Sequence, residues 1–209
     1  YLKSSSNREL RRYPLTDNDV LLSNADVSGI FAGDGAALFD IYNRYVQANY
    51  LNVPDGLPSL EAAVQVMQDE NGDLSLSQWI AQIKDILWKT CTYQKDNLES
   101  VPDGSNVIED FFGRQRKGYC THFASAGVMM LRMAGIPARY VTGYVIWPDD
   151  FKADSASDGY MADVTGYRGH AWVEVYNASQ GIWVPVDMTP VDSVQTSNYL
   201  PTQENSGHS

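Results

Sequence analysis

Residues 116–140, RKGYCTHFASAGVMMLRMAGIPARY, contain the change of pattern that decides the fold. Phe123, Gly127, Met130, Leu131 and Ala134 recur at helical spacing, and the helix that carries them opens at Cys120. Gly135 and Pro137 end it, the usual punctuation of a helix C-terminus. Ala124-Ser125-Ala126-Gly127 make its first half slim, so it can lie close against neighbours. A slim helix of this kind is expected at the centre of a domain.

Downstream of Gly135 the period becomes two. ARYVTGYVIW (138–147) reads as a strand apolar on both faces, HAWVEVY (170–176) alternates, and IWVPVDMTP (182–190) reads as a third strand. Between them, residues 148–169 form an acidic loop with Gly and Ser, long enough to act as a flap over a site.

Upstream the pattern is helical. Leu38, Ile41, Tyr42, Tyr45 and Val46 share a period that begins at Gly35 and ends before Pro54. Ser59 is expected to cap a short helix carrying Leu60, Ala63, Val64 and Met67. Ser75 or Ser77 opens another, with the stripe Leu76, Ile80, Ile83, Leu87 and Cys91. Residues 92–109 read as a polar loop. Helices followed by antiparallel strands make an α+β domain. Its expected span is 34–190, after an irregular lead-in at 1–33, with Tyr13, Pro14 and Leu15 docking on the body, and before a polar tail at 191–209.

Composition excludes several roles. The 209 residues are 44% hydrophobic and 20% charged, ordinary for a globular chain, and a chain of this length buries roughly 70% of its unfolded surface. A net charge of −11 opposes nucleic acid as a partner and disfavours an anionic membrane surface. No run of apolar residues is long enough to span a bilayer. The first residue is Tyr1, as expected for a piece of a longer protein.

Metal and cofactor signals are lacking. There is no CxxC or HExxH. DENGD (69–73) resembles the start of a calcium loop, but the sixth position from Asp69 is Leu74, where that turn needs Gly. Neither a cofactor nor a metal is expected. The two cysteines, Cys91 and Cys120, permit one bridge or two free thiols, and the histidines are His122, His170 and His208.

The hairpin supplies the chemistry. A turn centred on Ala178-Ser179 sets His170 directly opposite Asp187. A slip of one residue would send Asp187 to the wrong face. A carboxylate opposite an imidazole fixes its tautomer and stabilises the imidazolium. The imidazolium in turn favours a nearby thiolate, as does the N-terminus of a helix. Cys120, His170 and Asp187 therefore form a candidate set of nucleophile, base and orienting acid.

KGYCTHFASAGVMMLRMAGIPARYVTGY, YRGHAWVEVY and WVPVDMTP resemble, in order, the three signature blocks of the transglutaminase-like superfamily, which has a papain-like core. The blocks cover residues 112–190, and the helices from 38 to 91 resemble the upstream part of such domains. The likeness is to bacterial domains held outside the membrane by a larger, membrane-anchored protein. It implies a central helix bearing Cys120 packed on an antiparallel sheet bearing His170 and Asp187, with these three as the catalytic triad. It implies thiol attack on protein or peptide amides, a thioester acyl-enzyme, and release to an amine or to water. Substrates at a cell surface or cell wall, an extracytoplasmic place and a monomeric domain are implied with it. A cysteine peptidase or amidase using the same triad, and a noncatalytic surface-binding module, are the rival readings.

Other residues receive quieter roles. Cys91 continues a buried stripe and is expected to be structural. His122, two residues past Cys120 on a helix, does not share its face and is expected to pack locally. Trp172 is read as lining the cleft or filling the core. Glu174 is read as an exposed strand residue with a second-layer role as the alternative, and Arg139 as an ion-pair partner. The Cys120 backbone N–H is a candidate oxyanion donor, with Gln115 and Tyr119 as candidates for a second.

Overall fold

A computed structural model of the chain describes residues 35–154 and 159–190. The expected lead-in with Tyr13, Pro14 and Leu15, the polar tail and His208 lie outside the described residues. Among those described, no helix is long and apolar enough to cross a membrane.

Three helices come first: α1 (Gly35–Asn49), α2 (Pro58–Asn71) and α3 (Leu76–Thr90). The period read in α1 is present, yet only Val46 is fully buried, while Leu38 and Ile41 stay exposed. Ser59 does not cap α2. Pro58 already occupies the first helical positions, where its fixed φ suits the helix and its missing N–H costs nothing. The N–H of Ser59 is instead accepted by both carboxylate oxygens of Glu109, at 3.1 Å each. At α3 the cap is Ser75. Its N–H donates to Gln78 Oε1 at 2.9 Å and its Oγ accepts from the Gln78 N–H, a capping box. Ile80, Ile83 and Leu87 are buried, as read, together with Trp79.

The polar loop at 92–109 is more structured than its composition suggests. It holds β1 (Thr92–Tyr93) and α4 (Val107–Glu109), which runs into a π-helical turn at Asp110–Gln115 and then β2 (Lys117–Gly118). Strands β1 and β2 pair in parallel. Asp110 is buried inside this turn, where Arg114 and Gln115 donate to its carboxylate. Arg116 then takes a left-handed φ of 55°, and the chain reaches the next helix at Cys120.

That helix, α5 (Cys120–Met133), is central. It packs on α2 and α3 on one side and on the sheet on the other. Phe123, Met130 and Leu131 are fully buried, and each such side chain is worth roughly 1.5–3 kcal/mol. The helix ends at Gly135, whose φ of +76° only glycine adopts readily. The Ile136 N–H returns to the Leu131 carbonyl at 2.9 Å and closes the cap.

The sheet follows. Its strands are β3 (Ala138–Tyr144), β6 (Gly169–Asn177) and β7 (Ile182–Val186), antiparallel in the order β3-β6-β7. Ala171, Val173, Val175, Val184 and Val186 are buried on one face, and α5 packs on the sheet from β6 and β3. Strand β3 is shorter and less apolar than its sequence suggests. It stops at Tyr144, and Tyr140, Thr142 and Tyr144 are exposed. The reason lies in the next residues: the Val145 N–H donates to the Arg168 carbonyl and the Trp147 N–H to the Asp150 carboxylate, which turns the chain out of the sheet. The acidic stretch at 148–169 carries its own small hairpin, β4 (Lys152–Asp154) with β5 (Gly159–Met161). The architecture is α+β, helices first and antiparallel sheet second, as the order of patterns implies.

Candidate active site

Cys120 is the first residue of α5, at the end where unpaired backbone N–H groups and the helix dipole favour a negative charge. The thiol is nearly buried, and burial alone would raise its pKa. Hydrogen bonds from the His170 side chain and the Ala171 backbone, together with the imidazolium charge, outweigh that and hold the thiol below its ordinary value.

His170 is the second residue of β6. Burial would lower its imidazole, but the Asp187 carboxylate and the Cys120 sulfur together raise it to about 9. Its Nε2 lies 2.8 Å from Asp187 Oδ2, which leaves Nδ1 for the sulfur. The ring lies nearly parallel to that of Trp172, with centroids 6.4 Å apart. The tip of Trp172 in turn closes on Gly143, where a Cβ would stand 2.7 Å from the indole. Trp172 therefore backs the histidine rather than lining the cleft.

Asp187 completes the chain of contacts. Burial would raise its carboxyl, but the hydrogen bond and charge of His170 and the Thr189 N–H hold it below the usual range. Oδ1 accepts that N–H at 2.9 Å. The register differs from the expected one. Val173 faces Val186 and Asn177 faces Ile182, so the turn is centred between Ser179 and Gln180, one residue later than read. Asp187 lies just past the last paired residue and reaches His170 diagonally. A shift of two residues preserves the face, which is why the pair still meets.

The sulfur and the imidazole open onto a cleft of about 660 Å³. Tyr119, Tyr140, Thr142 and Tyr144 supply much of its wall, with Lys95 as a cation that sequence patterns did not single out. An arrangement of this kind can attack a carbonyl with sulfur and pass protons through one imidazole.

The remaining candidates are placed as follows. His122 packs on Phe111 and Tyr119, accepts the Tyr119 N–H at 3.3 Å, and is lowered by burial; it belongs to the helix start. Gln115 is committed elsewhere: its amide donates to the Glu99 carbonyl and Asp110 and accepts the Glu99 N–H, and it does not line the cleft. Glu174 is neither exposed nor close behind the site, because it forms a cross-strand ion pair with Arg139, which also lies over Trp183. Cys91 and Cys120 are both free. Burial pushes the Cys91 thiol up to about 12. Among the described residues, no group of three or more His, Cys, Asp or Glu is arranged to hold a metal. Lys84 and Trp88, on α3 behind Asp187, were not visible as site residues; no sequence pattern marks them.

Comparison with known proteins adds context. A family model, the transglutaminase-like superfamily, matches residues 61–188. The Bacillus subtilis protein YebA is 28% identical over 183 residues, covering 87% of this chain and 24% of YebA. A protein-glutamine gamma-glutamyltransferase of Pseudomonas aeruginosa is 38% identical over 92 residues, 44% of this chain and 13% of that protein. Among solved structures, the periplasmic domain of TgpA from Pseudomonas aeruginosa superimposes with a TM-score of 0.55 at 26% identity, covering 75% of this chain and 51% of that one. The chain thus spans a quarter or less of the length of these two sequence relatives.

Proposed function

The chain belongs to the transglutaminase-like superfamily, and on that premise we propose that it is a cysteine acyltransferase acting on protein or peptide amides, with Cys120, His170 and Asp187 as its catalytic residues. The observation that carries this reading is the continuous line of contacts from a thiol at a helix N-terminus, through one imidazole, to a carboxylate at 2.8 Å.

The thiolate of Cys120 attacks the carbonyl carbon of a side-chain amide. The oxyanion that forms is met by the Cys120 backbone N–H, one of the unpaired donors of the first turn. His170 gives its proton to the amide nitrogen, ammonia leaves and a thioester remains. A primary amine then attacks the thioester, His170 takes the proton, and the thiolate is released with a new amide. Asp187 holds the ring with Nδ1 toward sulfur and stabilises the imidazolium.

Water is the competing nucleophile. The open cleft favours its access, so hydrolysis of the same thioester is the second reading. An extracytoplasmic place is supported by the periplasmic relative. The deciding experiment incubates a glutamine-bearing peptide with a labelled primary amine and counts amide product against free acid. Amide product, lost in Cys120→Ala, supports acyl transfer. Free acid alone makes the domain a hydrolase, and neither product from any amide substrate leaves a binding module.

A further inference from the structure

Asp187 stands outside the ladder of β7, whose last pair is Val173 with Val186. Sheet hydrogen bonds therefore do not aim its carboxylate; the contacts of residues 187–189 do. One is the Thr189 N–H to Oδ1 at 2.9 Å. The next residue, Met188, is gripped from two helices. Its side chain is fully buried against Gly127 of α5, where a Cβ would stand 2.6 Å from Met188 Cγ. Its carbonyl accepts the indole N–H of Trp88, from α3, at 2.8 Å. Lys84, one turn earlier on α3, places its ammonium 5.9 Å from the Trp88 ring, and its charge acts on Asp187.

We propose that Trp88 is a positioning residue for Asp187: its N–H, through the Met188 carbonyl, holds the turn that brings the carboxylate onto Nε2 of His170. The inference rests on the reading of Cys120, His170 and Asp187 as the catalytic set, yet the titration of His170 reports on it independently of any activity. Trp88 is partly exposed, and its ring is not part of the central core. A tryptophan kept there only for packing would not need its N–H. The one built here donates it to a carbonyl adjoining the acid.

Among the described residues, the charged groups that act on the pair are Lys84 from α3 and Cys120 from α5. Neither is a carboxylate that could replace Asp187. With Asp187 loosened, only the Cys120 sulfur is left to oppose burial, and the imidazole pKa falls.

The test uses Trp88→Phe, which keeps an aromatic ring and removes the donor, and a second variant with 3-benzothienylalanine at 88, which replaces only the N–H by sulfur. His170 is followed by ¹⁵N NMR across pH, and Cys120 by its alkylation rate with iodoacetamide at about pH 6. In both variants the His170 midpoint is expected to fall by about one unit, a tenfold change in its acid dissociation constant. An unchanged midpoint in the benzothienyl variant overturns the proposal. So does a lower melting temperature without a lower midpoint, which would make Trp88 a packing residue. If wild-type Cys120 shows no enhanced reactivity, the catalytic reading fails, while the His170 midpoint still decides the role of Trp88.

Discussion

Asp187 Oδ2 meets His170 Nε2 at 2.8 Å although the two residues are not partners in the β6–β7 ladder. The contact needs the same face of the sheet, and any even shift of register supplies that. Beyond the ladder the carboxylate is held by the Thr189 N–H on Oδ1, and the neighbouring Met188 carbonyl by the indole N–H of Trp88.

The first consequence concerns pH. The imidazole of His170 is raised to about 9, above the value of roughly 6.5 expected in an unfolded chain. A raised folded value stabilises the native state fully below about pH 6.5, and that share is lost as pH rises through 9. Asp187→Asn is therefore expected to cost stability at pH 6 and to cost little of it above pH 10. In the same variant the imidazole falls, so the pH range of the thiolate–imidazolium pair narrows from its upper end. Urea denaturation at the two pH values and the pH profile of Cys120 alkylation measure these effects; equal losses at both pH values would contradict them.

The two thiols should separate cleanly. Cys91 is pushed up to about 12 by burial at the end of α3, while Cys120 is held below its ordinary value. Iodoacetamide at pH 7 is expected to label Cys120 in the folded protein, with Cys91 reacting only after unfolding. Peptide mass spectrometry reads the ratio. His170→Ala is expected to slow Cys120 labelling by roughly 10²-fold or more and to leave Cys91 unlabelled, a loss of the order seen when a general base is removed.

Gly127 tests how tightly the acid end is packed. An alanine in mid-helix would gain about 1 kcal/mol of helix propensity. Its Cβ would stand 2.6 Å from Cγ of the fully buried Met188, and overpacking of that kind costs about 1–3 kcal/mol. The overlap is expected to win, so Gly127→Ala lowers the melting temperature. It should also slow Cys120 alkylation, because a displaced Met188 carries Asp187 with it. A stabilised, fully reactive variant would show that Met188 has room to move.

Much of this was legible in sequence because periodicity and punctuation are local. The start of α5 at Cys120, its stop at Gly135 and the alternation of β6 each lie within one segment. The face shared by His170 and Asp187 was legible because parity survives an even shift. The register itself was not. The loop Ala178-Ser179-Gln180-Gly181 closes with Gly181 at φ +69°, and the Gln180 and Gly181 N–H groups both return to Asn177. A glycine in that place was the available signal. The cap of α2 was hidden for another reason: Glu109, which serves it, lies 50 residues away. Trp88 is hidden likewise, since its partner Met188 is 100 residues downstream. Pairings over such distances leave no mark on local pattern.

The excursion at 148–169 offers a test that separates substrate binding from thiol chemistry. Its root is tied by the Arg168–Asp150 ion pair at 2.6 Å, with both partners only about a fifth exposed, and by the Val145 N–H to the Arg168 carbonyl at 2.9 Å. Asp150 also takes the Trp147 N–H at 2.8 Å, so one carboxylate fixes both ends of the root. Tyr144, Gly166 and Gly169, which line the cleft, flank this tie. Arg168→Met removes the charge and keeps a stem of similar reach. It is expected to raise amide hydrogen exchange in 148–154 and 159–167, since a partly buried pair is lost while the core beneath is untouched. A peptide substrate should then bind more weakly, with KM raised several-fold. Iodoacetamide, too small to use the wall, should alkylate Cys120 at the wild-type rate. A drop in both would mean that the tie supports His170 and not only the cleft, because Arg168 is two residues from it along the chain.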